Sequence, residues 1–345
     1  MNLQEAKKLE KSIFETLSKH IKKGEKVILG LSGGGDSVFL FEMLKEFSKK
    51  TPIKIIAAHV NHMLRGIHSE KDEKFVKNLA KEYKTDIEIL RKDISKTSRK
   101  LGKGLEETGR QIRHEFFAKL AKKFKTNLVL TAHHADDNLE TILLNIARGA
   151  GLKGLLGMEE KIEHEITNTK LNFIKPLLQV PKQKIEDYLA HKKINFVKDL
   201  SNLDEKFNRN LIRSKIVPPL KKINKNIFET VAKNVKNIEE TLEFLEDEAK
   251  KFIKTCEKKL KEKNTLIAQD FRKLNKALKK AIIRELYKIN AKTLKDFGNA
   301  QTDEILKILE KNIGNKIKKI GQITFSVNKN RIKVSVEKKR KKVQY

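Results

Sequence analysis

The first half of the chain alternates short apolar runs, rich in β-branched residues, with segments whose apolar residues recur at helical spacing. Two such runs lie at 27–31 and 53–60, and a stripe of Val38, Phe41 and Leu44 lies between them. Strands that alternate with helices in this way form a parallel sheet with right-handed crossovers. We therefore predict an α/β fold with a doubly wound parallel sheet. The other predicted elements are strands at 86–90 and 127–132 and helices at 105–124 and 139–147.

The pattern changes after Pro218 and Pro219. From about residue 223 to 319 there is no proline, and the sequence is typical of long helices rich in Lys and Glu. Residues 323–327 and 332–336 then alternate apolar and polar side chains around a turn, which predicts a β-hairpin. We therefore predict a catalytic domain at 1–217, followed at 218–345 by a mainly α-helical region that ends in a small β-hairpin.

The charge of the chain is strongly positive and unevenly distributed. Its 345 residues include 77 Lys and Arg but only 45 Asp and Glu, a net charge of +32. Residues 216–345 contain 34 basic and 16 acidic side chains, against 43 and 29 in the longer stretch before them. Part of this excess reflects a composition biased toward Lys. The denser excess at 216–345 nevertheless favours a module that binds a polyanion, most commonly a nucleic acid.

Several classes of protein are excluded by composition. No apolar run approaches the ~20 residues that a membrane span needs, and Met1 leads into a segment rich in Lys and Glu. The single cysteine, Cys256, excludes a disulfide framework and a metal site built from cysteines alone. We expect a soluble cytoplasmic protein with no membrane partner.

A glycine-rich segment connects the first predicted strand to the first helical stripe. It consists of Ser32, Gly33, Gly34, Gly35, Asp36 and Ser37. Consecutive glycines let the backbone turn tightly and present N–H groups to an anion, which the helix N-terminus also favours. The segment lacks the Gly-Lys-Ser/Thr ending of a Walker A loop and does not match the dinucleotide-binding fingerprint. On these six residues alone, an ordinary glycine-rich turn remains an alternative.

Polar residues also follow the second and fourth predicted strands, at 59–62 and 131–137. In an open parallel sheet, ligands bind outside the carboxyl ends of the strands, where these groups lie. Asp137 and Glu140 are three residues apart at the start of the next helix, so they share a face. Two carboxylates there could hold a cationic substrate or a metal, or simply reflect the preference of helix N-termini for acids.

Another polar row lies on the helix predicted at 105–124. Glu106, Arg110 and Arg113 follow i, i+4, i+7 spacing, opposite the apolar stripe. They predict either a row of surface ion pairs or an arginine that meets phosphate charge. The histidines at 59, 62, 133 and 134 have no cysteine beside them and lack metal-site spacing, so we do not expect zinc.

Residues 32–37 resemble the SGGxDS loop of the PP-loop ATP pyrophosphatases, which have a Rossmann-like fold. Within that superfamily the chain is similar to the bacterial tRNA(Ile)-lysidine synthetases. The most specific segment is TAHHADDNLETILLNIARGAGLKGLLGM at 131–158. The other matching segments lie at 59–66, 106–113, 176–178, 199–202 and 209–213, and residues 278–336 resemble the family's C-terminal RNA-binding domain more weakly. Three positions depart from the usual family residues: His114 replaces Tyr, Gly109 replaces Ala and Lys175 replaces Arg.

The resemblance implies ATP-dependent ligation of L-lysine to the wobble cytidine of the CAU anticodon of tRNA(Ile). The reaction passes through an adenylated cytidine and releases AMP and pyrophosphate. It further implies that residues 32–37 bind ATP and that Asp36 helps to position Mg²⁺. Arg113 would neutralise charge on the phosphate, and Asp137 and Glu140 would hold the lysine. A homodimer is plausible for this family.

Three other functions are alternatives to this one. A tRNA-thiolating PP-loop enzyme needs cysteines, but Cys256 lies away from every motif. An amide-forming PP-loop ligase, such as an NAD or GMP synthetase, would not explain the basic helical region. A non-catalytic RNA-binding protein would be expected to have a degraded loop or to lack the acids, yet Asp36, Asp137 and Glu140 are all present.

Overall fold

The computed structural model describes residues 1–64, 66–197, 208–292, 294, 297–311, 315–328 and 330–336. The motif at 199–202, the centre of the hairpin turn at 329 and the basic tail at 337–345 lie outside these residues. The chain divides into two compact units, Met1–Leu144 with Gly157–Ala232 and Asn145–Leu156 with Lys233–Tyr345. The functional boundary at 217/218 stays a prediction.

A six-stranded sheet forms the centre of the first unit. Its strands are β1 (Lys26–Gly30), β2 (Lys54–Asn61), β3 (Asp86–Arg91), β4 (Leu128–Leu130), β5 (Lys161–Ile166) and β6 (Thr169–Ile174). Their order across the sheet is β3-β2-β1-β4-β6-β5, and only β5 pairs in antiparallel fashion. The predicted doubly wound parallel sheet is confirmed, whereas the β5–β6 hairpin is an addition that we did not predict.

The strand order reverses direction at β1. Ile28 of β1 pairs with Ile56 of β2 on one side and with Val129 of β4 on the other, both in parallel register. The segments that follow β1 and β4 therefore leave the same edge of the sheet and diverge. In parallel sheets, such a reversal opens the crevice in which ligands bind.

Helices cover both faces of this sheet. They are α1 (Leu3–His20), α2 (Gly35–Lys50), α3 (Ile67–Glu82), α4 (Ile94–Leu101), α5 (Leu105–Phe124), α6 (Ala135–Ala147, which ends in the second unit) and α8 (Lys182–His191), whereas α7 (Leu152–Leu155) belongs to the second unit. Val27, Ile28 and Leu29 of β1 are all fully buried, although successive strand residues face opposite sides. Val27 and Leu29 belong to the core that includes α2, whereas Ile28 packs in the core that includes Phe117 of α5. Burial on both faces explains why the strand is a continuous apolar run rather than an alternating one.

A short helical segment follows the undescribed residues 198–207. It comprises α9 (Asn208–Leu211), a π-helical turn (Ile212–Ile216) and α10 (Val217–Ile223). Ile212 and Val217 are buried, and they pack in one apolar cluster with Leu139 of α6. This packing brings residues 208–223 against the helix that follows β4.

The second unit combines helices with a four-stranded antiparallel sheet. Its elements are α11 (Ile227–Leu260, which begins in the first unit), α12 (Ala268–Lys273), α13 (Lys276–Ala291), α14 (Asn299–Leu309), β7 (Thr265–Ile267), β8 (Lys316–Ile320), β9 (Ile323–Val327) and β10 (Arg331–Val336). The predicted hairpin is confirmed as β9 and β10, in the order β7-β10-β9-β8. The predicted, mainly α-helical character of this region is confirmed, whereas the short strands β7 and β8 were not predicted. No helix in the described part of the chain has the length and apolar character to cross a membrane.

The end of β2 is fixed by a buried carboxylate from α3. Glu73 is 3% exposed and accepts hydrogen bonds from Arg91 Nε at 2.8 Å and from Asn61 Nδ2 at 3.0 Å. Lys77 Nζ lies 2.7 Å from the same carboxylate. The hydrogen bond from Arg91, strengthened by those from Lys77 and Asn61, holds the pKa of Glu73 well below its usual range, although burial opposes this effect. The ends of β2 and β3 are thereby tied to α3.

We expect Glu73→Gln to lower the free energy of unfolding by about 2 kcal/mol, because it leaves Arg91 and Lys77 without their buried counter-charge. Urea denaturation at pH 7 measures this loss. Glu70→Gln, at an exposed position on the same helix, serves as the control and should change the free energy by less than about 0.5 kcal/mol. Equal losses in the two variants would show that the buried contacts of Glu73 are not what stabilises this end of the sheet.

Candidate active site

The glycine-rich loop between β1 and α2 folds around one serine hydroxyl. Ser37 Oγ accepts hydrogen bonds from the N–H groups of Ser32 and Gly33, both at 3.2 Å, and donates to Gly34 O at 2.9 Å. Gly33 has φ +93°, and a Cβ added there would lie 3.2 Å from Val76 Cγ1. Only glycine fits this turn without strain. Backbone N–H groups that converge beside a helix N-terminus are suited to binding phosphate oxygens.

A buried histidine connects this loop to the start of α6. The Nε2 atom of His134 lies 3.6 Å from Asp36 Oδ2 and 3.4 Å from Asp137 Oδ2, while Nδ1 lies 3.6 Å from Asp136 Oδ2. Burial favours the neutral imidazole, but the carboxylates of Asp136, Asp36 and Asp137 outweigh it and raise the pKa of His134 to about 9. His134 is therefore charged at neutral pH and joins the segments after β1 and β4.

Asp137 and Glu140 lie on one face of α6 and share two arginines. Arg209 donates from Nε to Glu140 Oε2 at 2.8 Å and from Nη2 to Asp137 Oδ1 at 3.2 Å. Arg213 donates from Nε to Glu140 Oε1 at 2.6 Å and from Nη2 to Asp137 Oδ1 at 3.1 Å. Both arginines lie in a segment that matches the family, but we did not predict that they pair with Asp137 and Glu140. Their i, i+4 spacing was the one signal in the sequence that could have indicated a shared partner.

Asp136 and Asp137 of α6 are held in their charged form. Burial tends to raise the pKa of Asp137, but the charges of His134 and Arg209 lower it below its usual value. Asp136 accepts a hydrogen bond from the Lys182 N–H at 2.8 Å and pairs with Lys221 Nζ at 2.5 Å. These contacts and His134 outweigh burial, so the pKa of Asp136 is also lowered.

Arg113 is exposed on α5, as are Glu106 and Arg110. Burial, followed by the charge of Arg113, lowers the pKa of His62 to about 4. Its charge also helps to lower the pKa of His133 to about 4, although burial is the main cause. Within the described residues, Arg113 makes no hydrogen bond or ion pair with Asp137 or Glu140. The predicted site residues therefore form two groups. Asp36, Asp137 and Glu140 lie in one group, and Arg113 on α5 lies outside it.

The protein provides only part of a magnesium site near Asp36, because phosphate oxygens would have to supply further ligands. In the described parts of the chain, no cluster of three or more His, Cys, Asp or Glu side chains could hold a metal ion. Mg²⁺ is commonly bound through one or two carboxylates together with substrate phosphates. The Asp36 side chain is 34% exposed beside the glycine-rich loop, so it fits this mode once a phosphate is bound.

His114 lies on an aromatic surface beside Arg110 and Arg113. Its ring centroid is 4.7 Å from that of Phe173 and 6.2 Å from that of His164. Burial, followed by repulsion from Arg110 and Arg113, lowers the pKa of His114 to about 4. The imidazole is therefore neutral at physiological pH.

A depressed folded-state pKa at His114 contributes stability that is present above about pH 6.5 and is lost as the pH falls toward 4. We expect His114→Tyr, which keeps an aromatic ring that does not titrate in this range, to lose about 2 kcal/mol less between pH 7 and pH 4 than the unmodified protein. Urea denaturation at both pH values measures the difference, and NMR titration of the imidazole checks its midpoint. Identical acid losses, or a midpoint near 6.5, would contradict the burial and repulsion described here.

Comparisons with known proteins show which family this chain resembles. A family model described as a PP-loop domain matches residues 2–220. The tRNA(Ile)-lysidine synthase of Clostridium tetani is 32% identical over 308 residues, covering 88% of this chain and 64% of the relative. That of Caldanaerobacter subterraneus is 28% identical and covers 100% of this chain and 73% of the relative. The chain thus spans less than two thirds of the first of these relatives.

A solved structure supports the fold. The U34-tRNA thiolase NcsA from Methanococcus maripaludis, determined with its [4Fe-4S] cluster, superposes with a TM-score of 0.54 at 20% sequence identity. The match covers 68% of this chain and 79% of the thiolase. At this identity the likeness concerns the fold alone.

Proposed function

The chain belongs to the family of proteins with a PP-loop domain, and on that premise we propose that it ligates L-lysine to the wobble cytidine of the CAU anticodon of tRNA(Ile), using ATP. One observation carries the proposal. The phosphate-suited loop at 32–37 and the carboxylates of Asp137 and Glu140 meet at one edge of the sheet, where His134 connects them. Similarity to the tRNA(Ile)-lysidine synthases supports the choice of substrate.

In the first step, the C2 oxygen of the cytidine attacks the α-phosphorus of ATP and pyrophosphate leaves. The 32–37 loop would bind the pyrophosphate at the N-terminus of α2, because no described side chain caps the first N–H groups of this helix. Arg113 would neutralise charge that develops on the α-phosphate. Asp36 would hold Mg²⁺, which offsets phosphate charge when it is bound.

In the second step, the lysine ε-ammonium first loses a proton to solvent, and the resulting amine attacks C2 of the adenylated cytidine. The bond between C2 and its oxygen breaks, AMP leaves with that oxygen, and lysidine forms. Asp137 and Glu140 would orient the lysine through its cationic group. Because the pKa of Asp137 is lowered, this residue serves as a charged anchor rather than as a proton acceptor.

The second unit would supply much of the attraction for RNA. Its described residues include lysines of the four-stranded sheet, such as Lys316 and Lys319, and the predicted partner is a polyanion. Lys and Arg contacts with phosphate release counterions, so binding should weaken steeply as salt rises.

The direct test combines the protein, ATP, radiolabelled L-lysine and a transcript of tRNA(Ile) with a CAU anticodon. We expect label to enter the RNA only when ATP is present. A transcript with uridine at the wobble position is the matched control and should remain unlabelled, because it lacks the cytidine. The proposal fails if folded protein transfers no label, or if the control is labelled equally.

We expect Asp137→Asn to raise the KM for lysine about tenfold or more, because a charge-assisted contact contributes about 1.5–3 kcal/mol. The affinity for ATP should change less than about threefold, since the phosphates would contact the 32–37 loop instead. Steady-state kinetics and nucleotide binding measure the two effects. Glu186→Gln, at an exposed position on α8, removes a charge elsewhere and should leave both values unchanged. Equal losses in lysine use and ATP binding would show that Asp137 has another role.

A further inference from the structure

The acids at the start of α6 are matched one for one by cations from residues 208–221. Six side chains form this charged cluster, namely Asp136, Asp137, Glu140, Arg209, Arg213 and Lys221. Three negative charges therefore face three positive charges that come from this chain itself, and the cluster has no net charge.

The arginines occupy the oxygens that an amine would need. Both oxygens of Glu140 accept hydrogen bonds, Oε1 from Arg213 at 2.6 Å and Oε2 from Arg209 at 2.8 Å. Asp137 Oδ1 accepts from the same two side chains, and Glu140 is only 1% exposed. A lysine ammonium that approached this arrangement would meet two guanidinium groups before it reached a carboxylate. It would gain no net electrostatic attraction.

The side chains of Arg209 and Arg213 are long and partly exposed, so they can rotate away from the carboxylates without movement of the backbone. The apolar contact of Ile212 and Val217 with Leu139 anchors the segment, whereas the side chains of Arg209 and Arg213 remain 29% and 31% exposed. Arg213 lies in a π-helical turn, a rare geometry that is frequent at functional sites.

Anionic ligands offer these arginines an alternative partner. The planar guanidinium binds phosphate oxygens in the same bidentate manner as it binds carboxylates. Arg213 donates to Asp137, and His134 Nε2 lies 3.4 Å from Asp137 Oδ2 and 3.6 Å from Oδ2 of Asp36 in the 32–37 loop, so the arginine lies near this loop. Phosphates bound at the loop would therefore compete with Asp137 and Glu140 for it.

We propose that Arg209 and Arg213 block the amine site in the free protein and transfer to phosphate oxygens of the bound substrates before the cationic amine enters. The inference rests on the proposed function and adds an order of binding to it. The anion binds first and frees the carboxylates, and the amine binds second. Free lysine is thereby kept from the site until a phosphate-bearing substrate is present.

Equilibrium dialysis of radiolabelled L-lysine against the full chain tests this order. Four samples contain protein alone, protein with α,β-methylene-ATP, protein with tRNA(Ile) transcript, and protein with both. We expect lysine to bind at least about tenfold more tightly in one or more phosphate-containing samples than to protein alone. The ATP-analogue and tRNA samples show which phosphates release the arginines. Equal affinity for lysine in all four samples would overturn the proposal.

Two variants test the role of the arginines directly. Arg209→Gln and Arg213→Gln should each bind lysine at least about tenfold more tightly than the unmodified protein when no phosphate ligand is present. Arg99→Gln, at an exposed arginine on α4, is the charge-matched control and should behave as the unmodified protein. Weaker lysine binding in folded Arg209→Gln and Arg213→Gln would mean that the arginines build the site, and would overturn the proposal. If either variant does not fold, the four samples of unmodified protein decide.

The label-transfer assay separates this inference from the proposed function. If lysine enters the RNA but binds equally well in all four dialysis samples, the reaction stands and only the blocking role fails. If no sample binds lysine and no label is transferred, both fail together.

Discussion

The pairing of β1 with β2 on one side and β4 on the other is the constraint on which the site depends. It places the segments after β1 and β4 at one edge of the sheet, where they diverge. The glycine-rich loop then faces the start of α6, and His134 contacts acids from both. Without this strand order, Asp36 and Asp137, about a hundred residues apart in sequence, would have no reason to meet.

The site also depends on a balance between its negative and positive charges. Buried and half-buried carboxylates are tolerated when cations and hydrogen bonds compensate for the water that they lose. Here Arg209, Arg213 and Lys221 supply that compensation from one short segment. The ion pairs that stabilise the site also occupy the oxygens of Asp137 and Glu140. Arg209 and Arg213 must therefore release these carboxylates before a cationic substrate binds to them.

Much of the fold was predictable because its signals are local. The buried strand β1 and the helix α5 follow from apolar runs and helical spacing, and the β9–β10 hairpin follows from alternation. β7 and β8 were missed for physical reasons. β7 has only three residues, and its pairing partner β10 lies more than sixty residues later. β8 reads Lys-Ile-Lys-Lys-Ile, a pattern that also suits an amphipathic helix.

The site was predictable to a similar extent and for similar reasons. Residues 32–37, Asp137 and Glu140 belong to continuous motifs with recognisable spacing. The pairing of Glu140 with Arg209 and Arg213 spans about seventy residues and is set by the apolar contact of Ile212 with Leu139. A single sequence does not show which distant cations reach a given carboxylate, because tertiary packing decides it.

The most direct measurement is a structure of the protein bound to tRNA(Ile), α,β-methylene-ATP and L-lysine together. We expect the β- and γ-phosphates to lie against the N–H groups of residues 32–37, and the lysine ε-ammonium to lie within about 3 Å of Asp137 and Glu140. A complex with the nucleotide bound elsewhere, or with lysine held by other residues, would contradict this expectation.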